Sequence, residues 1–302
     1  MLPIDALKSV RQIITHARCP DGRASAIILH SALPDVEIRE MAYGTPEHNA
    51  LRAEPGMLFC DFTPPKDRLG DFVAEGTIVL DHHVRDLVSP FGDLGIFGEN
   101  EKGESGAVLA FQHVFVPIHR HSRDSARGTA AETLAVLSAV RDTWQRGSDL
   151  WDAACELAEV LRFLPLDECL ARGPAGVMRV AGDVGPMLMR KQREAASEAA
   201  TNAVVHTIAG RKVAIVPSVS LTSDVADIAG ADIIAGFDYA QEAEGNRIRL
   251  IVSLRGRNGV DVRAIAQRHG GGGHVPAAGF SLPVDAGTSA NPYHAIAAAL
   301  EP

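Results

Sequence analysis

The first half of the chain alternates short apolar segments with segments of helical periodicity. Apolar residues recur every three or four positions in 21–33, 66–75 and 104–115. Between these helical segments lie four strand candidates: RQIITH (11–16), DVEIREMAY (35–43), GMLFCDF (56–62) and GTIVLDHH (76–83). Strands that alternate with helices predict an α/β domain with a mainly parallel sheet.

The sequence pattern of the second half of the chain predicts helices, followed by a second α/β block. Residues 129–163 and 187–208 have helical periodicity, and the stretch between them is rich in Gly and Pro. The second block has strand candidates at 212–217, 231–238 and 247–255, and helices at 261–269 and 292–300. A chain of 302 residues suits two domains. We expect a first α/β domain over 1–165, a linker and connecting helix over 166–205, and a smaller C-terminal α/β domain over 206–302.

Charge and cysteine usage narrow the classes of function. A net charge of −9 argues against a protein that coats nucleic acid nonspecifically, so an anionic substrate requires local cations or a metal. The four cysteines show no C-x-x-C spacing, which indicates reduced thiols. We find no run of 18 apolar residues and no secretory signal, and we therefore expect a cytoplasmic protein without a membrane partner.

Polar residues follow three of the strand candidates. They are His16 to Asp21, then Asp61, then Asp81-His82-His83. Ligands of open α/β sheets bind beyond the carboxyl ends of the strands. Imidazole and carboxylate together suit a divalent ion such as Mn²⁺, and less readily Mg²⁺. Each residue taken alone also fits a turn, a helix cap or a solvated carboxylate, as does Asp142 at the end of a predicted helix.

A glycine run near the C-terminus is a second candidate site. Gly270 to Gly273 precede His274, and a backbone without Cβ atoms can approach a ligand closely enough to cradle a phosphate or a base. Arg255, at the end of a predicted strand, offers a fork of donors for phosphate. A flexible turn and a surface arginine are the alternatives.

The order of these motifs is more specific than any of them alone. His16…Asp21, Asp61, Asp81-His82-His83 and Asp142, followed by SLRGRNGVDVRAIAQRHGGGGHVPAAGF (253–280), resemble the DHH phosphoesterase superfamily. The last stretch is similar to its associated C-terminal domain, in which a Ser-Leu-Arg strand end and a helix precede GGGH-x-x-AAG. The superfamily includes single-strand exonucleases, nano-RNases, dinucleotide phosphodiesterases and family II pyrophosphatases.

The resemblance implies a role for each motif residue. A first Mn²⁺ ion would be held by His16, Asp21 and Asp61. Asp61 would bridge to a second Mn²⁺ ion that is also held by His82 and Asp142; a single ion, or Mg²⁺, is the alternative. Asp81 would orient the histidines, and His83 would face the phosphate or the leaving oxygen. Substrate-binding groups would be Arg255, Gly271, Gly272, Gly273 and His274. The resemblance further implies that 1–165 is the catalytic domain and that the active-site cleft lies between it and the substrate-binding domain at 206–302, and relatives suggest a homodimer.

Arg23 departs from the commoner pattern of this family. The usual motif is His-x-x-x-Asp-x-Asp, whereas this chain has one extra residue and Arg23 in place of the second Asp. A guanidinium cannot ligate a cation. Arg23 either points away from a weaker two-metal site, or replaces one metal's charge and binds substrate phosphate, or marks a site retained only for binding.

The resemblance therefore implies a metal-dependent phosphohydrolase that acts on a short single-stranded nucleic acid or a small nucleotide by metal-activated water. A catalytically weakened nucleotide- or RNA-binding protein of the same fold is the alternative that Arg18 and Arg23 favour. Pyrophosphatase or polyphosphatase activity ranks lower, because pyrophosphatase relatives carry a different C-terminal domain.

Overall fold

A computed structural model describes residues 2–120, 125–241, 247–284 and 291–302. The chain forms two compact units, Met1–Met189 and Arg190–Pro302. Within the part of the chain that is described, no helix has the length and apolarity needed to cross a membrane.

The first unit contains a five-stranded sheet in which every strand pair is parallel. The order is β2-β1-β3-β4-β5. The strands are β1 (Gln12–His16), β2 (Glu37–Met41), β3 (Met57–Cys60), β4 (Ile78–Asp81) and β5 (Gly95–Phe97). The α/β fold with a parallel N-terminal sheet is therefore confirmed, and β5 is a strand that sequence periodicity did not indicate.

Helices of the first unit connect these strands and then follow them. They are α1 (Ile4–Lys8), α2 (Pro20–Ala32), α3 (Pro46–Ala50), α4 (Leu69–Ala74), α5 (Arg85–Val88), α6 (Gly106–Ala110), α7 (Val116–His119), α8 (Ser125–Asp142), α9 (Trp151–Phe163) and α10 (Leu166–Thr201). A π-helical turn at Phe111–Phe115 joins α6 to α7, and short 3-10 helices lie at Lys66–Arg68, Ser89–Leu94 and Asn100–Lys102.

Alternate residues of the central strands face two different apolar cores. Ile13 and Leu58 face the larger core, which α2, α6, α8 and α9 complete. Ile14 and Phe59 face a smaller core that contains Phe72 of α4. Because both faces of the sheet are covered, β3 and β4 are apolar up to their ends, whereas the edge strand β2 carries Arg39 and Glu40.

The second unit contains a six-stranded mixed sheet of order β10-β11-β9-β8-β7-β6. Only the β7–β8 pair is parallel among these strands. They are β6 (Val204–Ile208), β7 (Arg211–Val216), β8 (Ile233–Gln241), β9 (Ile248–Gly256), β10 (Gly272–His274) and β11 (Ala277–Pro283). The described helices of this unit are α11 (Thr222–Ile228), α12 (Val262–Arg268) and α13 (Pro292–Leu300), together with the end of α10.

Two segments differ from their predicted secondary structure. The Gly- and Pro-rich stretch is mostly helical. Gly173, with φ 62°, interrupts α10, and Pro174 occupies the start of the next helical stretch, where a proline is tolerated. The helix predicted to reach residue 208 ends at Thr201, and 204–208 form β6, which pairs with β7. Strand pairing with a partner that follows in sequence therefore prevails over helical periodicity there.

Candidate metal centre

Three neighbouring strands of the parallel sheet end in the polar residues that the sequence indicated. Strand β1 ends at His16, β3 ends directly before Asp61, and β4 ends at Asp81, directly before His82. Cys60 is paired with Thr15 of β1 and Leu80 of β4, so the three strands end at nearly the same level. The fold thereby brings these side chains together at the carboxyl edge of the sheet.

Asp61 lies at the centre of this cluster. Its side chain is fully buried, and its backbone adopts a left-handed φ of 57°, a conformation that non-glycine residues rarely adopt. One carboxylate oxygen accepts a hydrogen bond from His82 Nε2 at 3.1 Å, and the other lies 3.7 Å from His16 Nδ1. Burial alone would raise the pKa of Asp61, but His16, His82 and His83 hold that pKa well below its usual range.

His82 is held between this carboxylate and an asparagine amide. Its Nδ1 hydrogen-bonds Asn100 Oδ1 at 2.5 Å, which directs Nε2 toward Asp61 and Asp142. Burial lowers the pKa of His82, but Asp61, Asp21 and Asp142 outweigh burial and raise it to about 10. Asn100 was not a sequence candidate, because an asparagine in a polar loop carries no distinguishing pattern.

Asp81 orients His83 rather than His82. The Asp81 carboxylate lies 2.7 Å from His83 Nδ1 and also accepts the backbone N–H of His83 at 3.3 Å. Although burial lowers the pKa of His83, Asp81 and then Asp61 raise it to about 9. The ring is therefore protonated at neutral pH, and its Nε2–H is the group left to donate.

Asp21 and Asp142 approach His82 from two helices. Asp142, the last residue of α8, places Oδ2 3.4 Å from His82 Nε2. Asp21, in the first turn of α2, accepts hydrogen bonds from the hydroxyls of Ser105 and Ser138, both at 2.7 Å. Burial, followed by repulsion from Asp61 and Asp142, raises the pKa of Asp21 to about 7. The sequence did not indicate Ser105 and Ser138 as site residues, because an isolated serine in a loop or a helix carries no distinguishing pattern.

The donor atoms of the cluster fall into three overlapping groups that could hold a metal ion. Within each group the donor atoms lie within 4.8 Å of one another; the groups are His16–Cys19–Asp61, Asp21–His82–Asp142 and Asp61–Asp81–His82–His83. Two buried donors, His16 Nδ1 and an oxygen of Asp61, have no hydrogen-bond partner among the described residues. Nitrogen and oxygen donors with unsatisfied buried atoms fit a divalent ion. The resemblance implied that Asp21 joins His16 and Asp61, whereas here Cys19 lies in that group and Asp21 lies with His82.

Arg23 is directed away from the cluster. Its Nε and Nη2 donate to the two carboxylate oxygens of Glu40 at 2.8 and 2.9 Å, and its Nη1 donates to the carbonyls of Leu161 and Leu164 at 2.6 and 2.7 Å. Four of the five guanidinium N–H groups are thus used by protein acceptors. Of the three arrangements considered for Arg23, the structure shows the one in which the side chain points away from the metal centre. Arg23 is therefore not part of the site that we propose below.

Arg18 is exposed, with φ 60°.

The substrate-binding candidates of the second unit lie on its sheet. Arg255 of β9 donates to Ser223 Oγ at 2.9 Å and to Ser253 Oγ at 3.1 Å. The glycine run forms a turn and β10 rather than an open loop, because Gly272 to His274 pair with β11. A Cβ at Gly271 would lie 2.1 Å from the carbonyl oxygen of Gly279. The close approach of this backbone is therefore sufficient reason for a glycine at this position. Roles in substrate binding for Arg255, Gly271, Gly272, Gly273 and His274 stay predictions.

Comparisons with known proteins agree with this architecture. The DHHA1 domain model matches residues 197–298. The fold is similar to that of the DHH domain of a protein described as a member of a family of ribosomal proteins, with a TM-score of 0.61 and 14% identity over 98% of this chain and 86% of that one. The chain thus has a fold similar to that of DHH-domain structures, and its C-terminal segment matches the DHHA1 domain. A comparison with curated protein sequences finds no match.

Two structures of the exonuclease RecJ share this DHH fold. One is bound to manganese, with a TM-score of 0.58 and 18% identity over 99% of this chain and 91% of that one. The other, RecJ from Thermus thermophilus in complex with Mn²⁺, has the same TM-score and identity over 98% of this chain and 52% of that one. At these identities the similarity is one of fold.

Proposed function

We propose that this DHH protein is a metal-dependent phosphohydrolase that cleaves a phosphodiester or phosphomonoester of a short oligonucleotide or small nucleotide. The observation that carries the proposal is the convergence of four carboxylates and three histidines around the carboxyl edge of the parallel sheet. Structures of the exonuclease RecJ, which share the fold, contain Mn²⁺ or Mg²⁺.

The residues that would hold the ions are His16, Asp21, Asp61, His82 and Asp142, with Asp61 shared between two positions. When bound, divalent ions would lower the pKa of water and neutralise charge on the phosphoryl group. Asp61 is suited to the shared position because it is buried, because one of its oxygens is unpartnered among the described residues, and because histidines flank it on both sides.

His83 supplies the proton in this proposal. Asp81 binds its Nδ1 at 2.7 Å, and its Nε2–H has no acceptor among the described residues. A pKa raised to about 9 keeps the ring charged at neutral pH, where Nε2–H can donate to a phosphate oxygen or to the leaving oxygen. About one-third of the side chain is exposed, which leaves it accessible to a ligand.

A substrate panel tests the proposal. The purified protein is incubated with Mn²⁺ and with dinucleotides, short oligonucleotides, 3′-phosphonucleotides and pyrophosphate. We expect release of mononucleotide or phosphate from a nucleotide substrate, loss of turnover with chelator, and loss in Asp61→Ala and His82→Ala. Asp86→Asn, which alters an exposed carboxylate in α5, is the matched control and should retain turnover. No turnover on any nucleotide would contradict the proposal, and turnover of pyrophosphate alone would favour a pyrophosphatase.

A non-catalytic nucleotide- or RNA-binding protein is the second candidate. It is favoured by Asp21, because two serine hydroxyls and the Ala107 amide already bind its carboxylate. Nucleotide binding that withstands both chelator and Asp61→Ala, without turnover, would support this candidate. Turnover that chelator abolishes would exclude it.

A further inference from the structure

Cys19 is the one sulfur donor of the metal-binding groups found among the described residues. It lies between the end of β1 and Pro20, the first residue of α2. Its sulfur, a nitrogen of His16 and an oxygen of Asp61 all lie within 4.8 Å of one another. The thiol is free and only partly exposed. A small buried cysteine is often no more than an apolar filler, so its position alone decides nothing.

The two partners of Cys19 in this group supply independent evidence for a cation. Asp61 is fully buried, and its Oδ2 has no hydrogen-bond partner in the described part of the chain. His16 Nδ1 is also without a partner there and lies 3.7 Å from this oxygen. A buried carboxylate oxygen without a partner is costly, and an ion between these atoms would satisfy both of them.

The position of this sulfur suits a thiolate that is bound to a cation. Cys19 also immediately precedes α2, a helix of 13 residues, and the N-terminus of a helix stabilises an anion. Arg23, in the next turn, points away to Glu40 and therefore does not supply the missing positive charge. A divalent ion would supply it, because a coordinating thiol is deprotonated outright.

We propose that Cys19 Sγ is a metal ligand and that, with His16 and Asp61, it forms a nitrogen, sulfur and oxygen site selective for Zn²⁺ or Co²⁺ over Mn²⁺. Thiolate ligands select softer ions, whereas Asp21, His82 and Asp142 offer only oxygen and nitrogen and discriminate less against Mn²⁺. On binding, the thiol proton passes to solvent and a sulfur–metal bond forms, without any change of oxidation state. This inference rests on the proposed function, because it concerns one position of the same metal centre.

Cobalt spectroscopy on the full-length protein tests this ligand directly. The metal-depleted protein is titrated with Co²⁺, and the near-ultraviolet sulfur-to-cobalt charge-transfer band is recorded. We expect the band in the wild type and in Cys155→Ala, which removes a buried thiol of α9 outside the three donor groups. Cys19→Ser should lose the band and weaken Zn²⁺ binding by at least about tenfold. Loss of a residue that only hydrogen-bonds a metal ligand already reduces metal affinity by about that factor.

Two further measurements keep the test decisive if Cys19→Ser folds poorly. Cys19→Asp should lose the band and shift the preference of the protein from Zn²⁺ toward Mn²⁺, because a carboxylate replaces the sulfur. In the wild type, bound Zn²⁺ should protect Cys19 from alkylation, as mapped by mass spectrometry.

Co²⁺ binding without a charge-transfer band, or a band that persists in Cys19→Ser, would overturn the inference. If Mn²⁺-dependent nucleotide hydrolysis survives such a result, the proposed function stands and only the sulfur ligand is wrong. If the protein binds none of these ions and hydrolyses no substrate, both proposals fail together.

Discussion

Arg23 connects three elements of the first unit. Its guanidinium binds both oxygens of Glu40 on β2 and the carbonyls of Leu161 and Leu164 at the end of α9. Both charged side chains are mostly buried, with 12% and 17% of their surface exposed. Removal of one member of such a pair leaves the other charge and two carbonyls without partners, which costs more than the pair itself contributes.

We therefore expect Arg23→Ala to lower the free energy of unfolding by about 3 kcal/mol, measured by urea denaturation. Arg39→Ala is the matched control, because Arg39 makes an exposed ion pair with Glu47 that is worth no more than about 1 kcal/mol. The metal affinity of Arg23→Ala should remain close to wild type. A large loss of metal affinity in a folded Arg23→Ala protein would show that this side chain acts on the site.

Asn100 fixes the ring of His82 through a hydrogen bond to Nδ1. Loss of such an outer partner typically reduces metal affinity about 10- to 100-fold. We expect about that loss in Asn100→Ala, measured by metal titration, and a smaller loss in Asn100→Asp, which keeps an acceptor for the ring N–H. Asn49→Ala, in the exposed turn of α3, is the control. Equal affinities for Asn100→Ala and the wild type would exclude this positioning role.

At the scale of elements, α6 is packed tightly against the metal centre. A Cβ at Gly106, the first residue of α6, would lie 2.5 Å from Asp61 Cβ and 2.9 Å from Asp21 Oδ2. The same helix donates the Ala107 N–H to Asp21. The position of this helix thus decides where two of the carboxylates lie.

Gly106→Ala should displace both carboxylates or the helix, lower the free energy of unfolding by about 1–3 kcal/mol, and weaken metal binding. Gly70→Ala is the matched control, because Gly70 lies in α4 with no atom within 4 Å of its Cβ position. Alanine in a helix is favoured over glycine by up to about 1 kcal/mol, so this control should be neutral or slightly stabilised. Chemical denaturation and metal titration measure both effects.

At the scale of the molecule, metal binding and pH act on stability together. The pKa of His82 is raised to about 10 by its carboxylate neighbours, so its contribution to stability is complete below its ordinary pKa of 6.5 and is lost as the pH rises through 10. The pKa of Asp21 is raised to about 7, mainly by burial, so its ionisation also costs stability as the pH rises from about 4 through 7. Ion binding requires deprotonated ligands and therefore strengthens over the same range.

We thus expect the Tm of the metal-free protein to fall between about pH 6 and pH 9, and the increase in Tm on metal addition to grow. At about 100 times Kd the ion should add about 2.7 kcal/mol of stability. Thermal melts with and without Mn²⁺ or Zn²⁺ at several pH values measure both trends. Asp61→Asn should lose the metal-induced increase, whereas Asp86→Asn should keep it. A metal-induced increase that shrinks with rising pH would contradict this coupling.

Periodicity and the positions of polar residues predicted much of the fold from the sequence. The strands that end at His16, before Asp61 and at Asp81 are confirmed, because each is a mainly apolar run that is followed by a cluster of polar residues. The strand at 204–208 was missed, since its residues also fit the end of a helix and only pairing with β7 distinguishes the two. The metal-binding roles of the clustered residues remain predictions, although the structure brings these residues together.

By itself, the sequence determined the α/β class and the set of carboxylates and imidazoles at the strand ends, because both follow from local patterns. Only the tertiary structure decided which side chains face the cluster. It turned Arg23 to Glu40 and Cys19 toward Asp61, and it brought Ser138 against Asp21 from a distant helix. The direction of a side chain in the first turn of a helix depends on acceptors and packing from other elements, and such distant partners have no local signature in the sequence.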